Sequence, residues 1–229
     1  MRGAHLTPNR LQQRLQAPLP GAVAQNTMRS LSRPARYDSI PVECCRRGAV
    51  LILLVPGEQD NELTFPVIER ADDGGPHSGQ IALPGGGREH GDRTIADTAL
   101  REAREEIGIP PDRCRVLGPL TPLHIDVSGF LVTPVVAWYT RSVNDDAKPL
   151  AYVPDGHEVK RVIPVSLGQF PPPRRVEELS VRGHRVLAPV FNVAGVKIWG
   201  ATAMILAEFA AVLGKADLPA VQDNSSGNT

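Results

Sequence analysis

The sequence predicts a mixed α/β sandwich of the α+β type, with a mixed sheet packed between helices. Three observations carry this reading. Apolar strand-like runs precede, flank and follow one central helix, a second helix closes the regular part of the chain, and the composition is globular, with 41% hydrophobic and 22% charged residues. At 229 residues the chain suits one well-buried core with extensions and is short for two ordinary domains. We expect an N-terminal extension over residues 1–44, the main domain over 45–214 and a disordered polar tail over 215–229.

Taken in order, residues 7–17 (TPNRLQQRLQA) predict a short amphipathic helix with Leu11 and Leu15 on one side, broken by the following PLPG and forming an arm before the core. GAVLILLVP, from Gly48, reads as a buried strand, and LTFPVIER as its hairpin partner. Residues 71–92 are glycine-rich and read as loop, with a short extended piece at 80–83 (QIAL). A helix follows at 94–107. VLGPLTPL, FLVTPVVAWYT and EVKRVIPV supply further strands, and Pro119, Pro122 and Pro134 predict edges or bends within them. Two β-branched segments around Arg182-Gly183-His184 predict a hairpin, and ATAMILAEFAAVLG predicts a largely buried helix ending at glycine.

Charge and length exclude several classes of function. Twenty-five basic residues balance twenty-five acidic ones, so no global field is available to hold nucleic acid or an anionic membrane. No run approaches the roughly 20 apolar residues of a membrane span, and the N-terminus lacks the apolar stretch of a secretory signal. Three cysteines, with Cys44 and Cys45 adjacent, fit neither a disulfide framework nor the usual zinc spacing and read as reduced thiols. A cytoplasmic setting is expected.

The chemistry lies in LPGGGREHGDRTIADTALREAREEIGI, residues 83–109. At i, i+3 and i+4, Glu102, Glu105 and Glu106 fall within roughly a 100° sector of the helix, while Ala96, Ala99, Ala103 and Ile107 form a packing face. Like charges at this spacing repel, and a hard divalent cation relieves them. Arg101, one turn before Glu105, is placed to hold that carboxylate. Pro84-Gly85-Gly86-Gly87 lies just upstream, able to turn carbonyls toward a cation or amides toward a phosphate. His124 and Asp126 read as structural or solvated, and Trp138 and Trp199 as packing residues.

This stretch resembles the box of the Nudix hydrolase family, G-x5-E-x7-R-E-U-x-E-E-x-G-U, with U aliphatic. Gly87 falls on the leading glycine and Arg101 to Ile109 on the second half, while Arg93 replaces the first glutamate. The resemblance implies a Nudix-like α/β/α sandwich with a central metal-binding helix. It also implies Mg²⁺ (or Mn²⁺) held by Glu102, Glu105, Glu106 and the carbonyl of Gly86, and hydrolysis of a diphosphate linkage by water. Upstream, Arg70, Ala71, Gly79, Pro84, Gly85 and Gly86 fall in register with the coenzyme A pyrophosphatase branch, while Gly75 stands at its second arginine; His77 or Arg88 is the expected compensation. HSGQIALPGG, TALRE and IWGATA are also similar to that branch.

The implied reaction converts coenzyme A, or an acyl derivative, to 3′,5′-ADP and 4′-phosphopantetheine or its acyl form. The implied substrate ligands are Arg70, Gly79, Gly85 and Gly86, with Glu158 in a late loop as the extra base; the implied assembly is a homodimer. Two rivals stand beside it. A Nudix pyrophosphatase for ADP-ribose or another nucleoside diphosphate derivative differs in its specificity loop, and a non-catalytic nucleotide-binding Nudix module has little need of three glutamates on one face.

Overall fold

The structure is a computed structural model that describes residues 6–32, 41–57, 62–72, 74, 78–126, 128–141, 150–181 and 183–215. Its architecture follows from one strand. Alternation along β1 (Arg46–Pro56) sends Ala49, Leu51, Leu53 and Val55 to one face and Ile52 and Leu54 to the other, all buried, so β1 needs cover on both sides. α3 (Ile95–Ile107) covers the first face with Ala99, Ala103 and Ile107. α1 (Pro8–Gln16) and α4 (Gly200–Val212) pack on the larger core at the second. The predicted α/β/α layering is therefore observed.

The sheet is mixed and splays in two. In one half β1 runs parallel to β7 (Phe130–Tyr139), from Arg46 opposite Phe130 to Leu54 opposite Trp138. β5 (Cys114–Pro119) and β6 (Leu123–Ile125) line the far side of β7. β2 (Leu63–Arg70) meets β1 only near the hairpin end, with Val55 opposite Thr64, and carries the other half. There it pairs with β8 (Val159–Ser166) along its length and with the two-residue β3 (Ile81–Ala82). A separate three-stranded sheet holds β9 (Arg175–Val181), β10 (His184–Val193) and β11 (Val196–Ile198).

Three expectations change. The PGGG segment is not only a loop: Gly85–Gly87 form β4, antiparallel to β1 with Gly86 opposite Ala49. Pro134 lies inside β7, between strands on both sides. Its missing N–H falls where β5 bends away toward β6, and its carbonyl accepts from Leu120 N–H at 2.8 Å. The N-terminal helix is no detached arm, because Leu11 and Leu15 are buried in the main core beside Met28. Glu208 of α4, fully buried, accepts from Gly21 N–H of α2 (Gly21–Gln25), Gln25 Nε2 and Thr121 N–H at 3.2, 2.8 and 3.2 Å.

Of the expected tail over 215–229, Lys215 is held by its N–H on Ala210 O at 2.9 Å and its Nζ on Phe170 O at 3.2 Å, while residues 216–229 and Arg182 of the predicted hairpin turn lie outside the described residues. No helix among the described residues is long and apolar enough to cross a membrane.

Candidate active site

α3 is rigid because both of its ends are closed. Thr94 and Asp97 form a reciprocal capping box at 3.2 and 2.8 Å, and Gly108 ends the helix in the left-handed conformation at φ 72°. A side chain at Gly108 would also press on Val153, with its Cβ 2.9 Å away. This helix lays Glu102 and Glu106 along β4. Glu106, 2% exposed, accepts from Gly85 N–H at 2.8 Å. Glu102 packs so closely on Gly86 that a Cβ there would run into its carboxylate. Gly86 is thus the floor of a cradle whose walls are acidic.

The electrostatics of the cradle are those of a site short of positive charge. Burial pushes the Glu106 carboxyl up to about 7, opposed by the Gly85 N–H and Arg70 and reinforced by Glu102 and Glu158. Glu102 is also raised, by burial first, against the pull of Arg101 and with the push of Glu105 and Glu158. An oxygen-only, mutually repelling donor set beside a side-chain-free floor fits a hard divalent cation. The third glutamate stands apart: Glu105, with a side chain 57% exposed, pairs with Arg101 at 2.8 Å. Among the described residues no three His, Cys, Asp or Glu side chains form a group that could hold a metal as they stand. The shared helix face of the sequence becomes a pair plus one.

Arg101 is the hub of this arrangement. Its guanidinium donates to Gly87 O at 2.8 Å, Glu102 Oε1 at 3.0 Å, Glu105 Oε2 at 2.8 Å and both oxygens of Asp92 at 3.2 Å. Asp92 is buried and also accepts from Glu89 N–H and Thr98 Oγ1, each at 2.9 Å. The hydrogen bond from Arg101 comes first among the causes that hold the Asp92 carboxyl down at about 2. The sequence reading missed Asp92. Its signal was its place next to Arg93: the carboxylate absent from position 93 stands one residue earlier.

Glu158 reaches the site through its loop. Val153 and Asp155 N–H groups donate to the Ile107 and Glu106 carbonyls at 3.1 Å each, docking residues 153–155 on the last turn of α3. Asp155 in turn accepts from Glu158 N–H at 3.1 Å, and Glu158 O accepts from Ala71 N–H at 2.8 Å. Arg70, at the end of β2, brings Nη1 to 3.9 Å from Glu106 Oε1 with its side chain 32% exposed. Glu102, Glu106, Glu158, Arg70, Gly85 and Gly86 therefore share one neighbourhood.

Other candidates fall elsewhere. Gly79 lines an open groove of about 560 Å³ with Glu69, Gln80, Leu179, Lys197 and Trp199, which holds none of the residues of the cradle. Trp199, expected to be packing, faces this groove. Arg88 does not replace the missing arginine: it donates to Asp92 O at 3.0 Å and Arg93 O at 3.2 Å and pins its own turn. Gly75 and His77 lie outside the described residues.

Residues 46–183 match the family model described as the NUDIX domain. A relative from Pectobacterium atrosepticum, named uncharacterized Nudix hydrolase NudL, is 36% identical over 174 residues, covering 74% of this chain and 84% of its own length. A protein of the same name from an Enterobacter species is 34% identical over 171 residues, covering 74% and 83%. Among solved structures, the Nudix hydrolase RenU from M. smegmatis aligns with 19% identity and a TM-score of 0.49 over 76% of this chain and 89% of that one.

Proposed function

This chain belongs to the Nudix family and is an enzyme acting on a phosphoanhydride, and from that premise we propose that it hydrolyses coenzyme A or an acyl-coenzyme A to 3′,5′-ADP and 4′-phosphopantetheine or its acyl form. The observation that carries the catalytic half is the acidic cradle: two buried or part-buried glutamates packed against a glycine strand on which a side chain would collide with Glu102. The substrate half is supported by the register of Arg70, Ala71, Gly79 and Pro84 to Gly86, of which Arg70, Gly85 and Gly86 stand at the cradle. Mg²⁺ (or Mn²⁺) would be held by Glu102 and Glu106, the carbonyl of Gly86 and Glu105 released from Arg101. When bound it supplies Lewis acidity at phosphoryl oxygens and a lowered water pKa.

The chain's own groups do the rest. Arg70 presents a planar fork to the diphosphate oxygens from the rim of the cradle. Glu158 accepts the proton of the attacking water, with its backbone held by Asp155 and Ala71. Arg101 fixes the glutamate helix to the Gly87 carbonyl and so sets where the carboxylates stand. The catalytic unit is residues 45–214, with residues 1–44 as an extension whose helices complete its core; a cytoplasmic homodimer belongs to the same reading.

The test is hydrolysis with Mg²⁺ across coenzyme A, acyl-coenzyme A, ADP-ribose and dinucleoside polyphosphates. We expect 3′,5′-ADP from the first two, and loss of at least about 100-fold in turnover for Glu106→Gln with the fold intact. Preference for ADP-ribose transfers the reading to the neighbouring pyrophosphatase class, and a Gln variant as fast as the parent removes the metal role.

A further inference from the structure

Cys45, His124 and Asp126 play no part in the phosphoanhydride chemistry, yet the fold lines them up. β1 and β6 flank the first residues of β7, where Phe130 is opposite both Arg46 and Ile125. Cys45, one residue ahead of β1, thereby meets His124 of β6. His124 Nε2 lies 3.1 Å from Cys45 Sγ, and Nδ1 lies 3.0 Å from Asp126 Oδ1. An imidazole that donates from Nδ1 to a carboxylate carries its lone pair on Nε2, facing the thiol. This is the order of nucleophile, base and orienting acid that activates a weak nucleophile. The three groups sit in a row on either side of the ring, not around a centre where an ion would sit. The site is about 13 Å along β1 from Ala49, the partner of Gly86, at roughly 3.3 Å per residue.

We propose that Cys45 is a reactive thiol site that undergoes thiol–disulfide exchange with small-molecule disulfides, with His124 as base and Asp126 as the residue that positions it. The neighbouring backbone selects disulfides over thioesters. Acyl transfer builds an oxyanion that needs N–H donors, but the Cys44, Cys45 and Arg46 N–H groups already donate to Pro41 O, Val42 O and Gly129 O at 2.9, 3.2 and 2.9 Å. Exchange between sulfurs builds no oxyanion.

In the step, His124 Nε2 takes the Cys45 proton as Sγ attacks one sulfur of the disulfide. A new S–S bond forms, the old one breaks, and the departing thiolate recovers the proton from His124. The products are the Cys45 mixed disulfide and one free thiol, with no other oxidant consumed. Burial, then Cys44, Asp126 and Glu43, raise the Cys45 thiol, so its proton stays on until His124 removes it. The more basic sulfur is also the stronger nucleophile once unmasked. Pro41 O, 3.4 Å from Sγ, is a second acceptor for the same S–H in the resting state.

Limiting aromatic disulfide, followed by quenching and peptide mapping of all three cysteines, tests this. Cys44 is the more exposed, and the Cys114 thiol is pushed up to about 12 by burial, so exposure alone predicts Cys44 first. We expect Cys45 to react at least about tenfold faster than Cys44, a threshold below the roughly 100- to 10,000-fold that a positioned base contributes. His124→Gln should slow Cys45 by a similar factor, leave Cys44 unchanged in the same sample and recover with added imidazole. Cys44 reacting as fast as Cys45 in the parent protein overturns the proposal whatever the variant does. So does a Gln variant with unchanged Cys45 rate.

Discussion

Asp92→Asn is the most informative single change, because it removes one charge and almost no volume from the contact that anchors Arg101. The native carboxyl is held from 3.8 down to about 2, just under two pH units, and at about 1.4 kcal/mol each this gives about 2.5 kcal/mol of stability. The sign is that of a depressed acid: the contribution is complete above the unfolded value, near 3.8, and is lost as pH falls through about 2. Urea titrations of parent and variant should differ by about 2.5 kcal/mol at pH 7 and by roughly half that at pH 3. Turnover should also fall about 10- to 100-fold, as for a lost outer-shell partner. A difference under about 1 kcal/mol at pH 7, or one that does not shrink in acid, would refute the anchoring role.

Other outcomes follow from the same contacts. Mg²⁺ at about 100 times its dissociation constant should stabilise the parent by about 2.7 kcal/mol in thermal melts, and Glu106→Gln should lose most of that gain; an equal gain in both places the ion elsewhere. Gly86→Ala puts a methyl group against the Glu102 carboxylate. Hydrolysis should drop at least about tenfold while stability, read by urea titration, moves by less than about 1 kcal/mol, because the neighbour that must shift is a flexible side chain. Glu208→Ala strands three donors inside the protein and should cost about 3–5 kcal/mol in the same assay, with a cost below about 1 kcal/mol counting against its role.

What could be read from the sequence was what local chemistry dictates. The helix at 94–107 appeared within one residue of Ile95–Ile107, because Thr94, Asp97 and Gly108 mark its ends. β1 and β2 were visible in their apolar runs. Pairing between distant segments was not visible. Nothing near Gly85–Gly87 says that β1 will accept it as a strand, and nothing near Pro134 says that its missing N–H will meet a bend. Helical spacing placed the three glutamates in one sector and Arg101 where it holds Glu105, but not that Glu105 would be left mostly exposed while Glu102 and Glu106 are drawn in against β4. Glu208 and the Cys45–His124 contact escaped because their partners are supplied by the fold, up to 187 residues away in the case of Glu208 and Gly21; Asp92 escaped although Arg101 is only nine residues on, because it stands one place before the position the Nudix box marks.

The clasp between the two ends of the chain has a consequence for how the molecule is made. Arg14 Nη1 donates to Leu213 O at 2.7 Å, and α2 rests on α4 through Glu208, so residues 21–28 find their seat only on a helix made about 180 residues later. At translation rates of about 5–20 residues per second, that is a wait of about 10–40 s, during which Ala24 and Met28 lack that cover. The nascent chain thus carries an uncovered apolar segment at residues 21–28 while the rest of the domain is made, and chaperone demand should concentrate there, not on the catalytic helix.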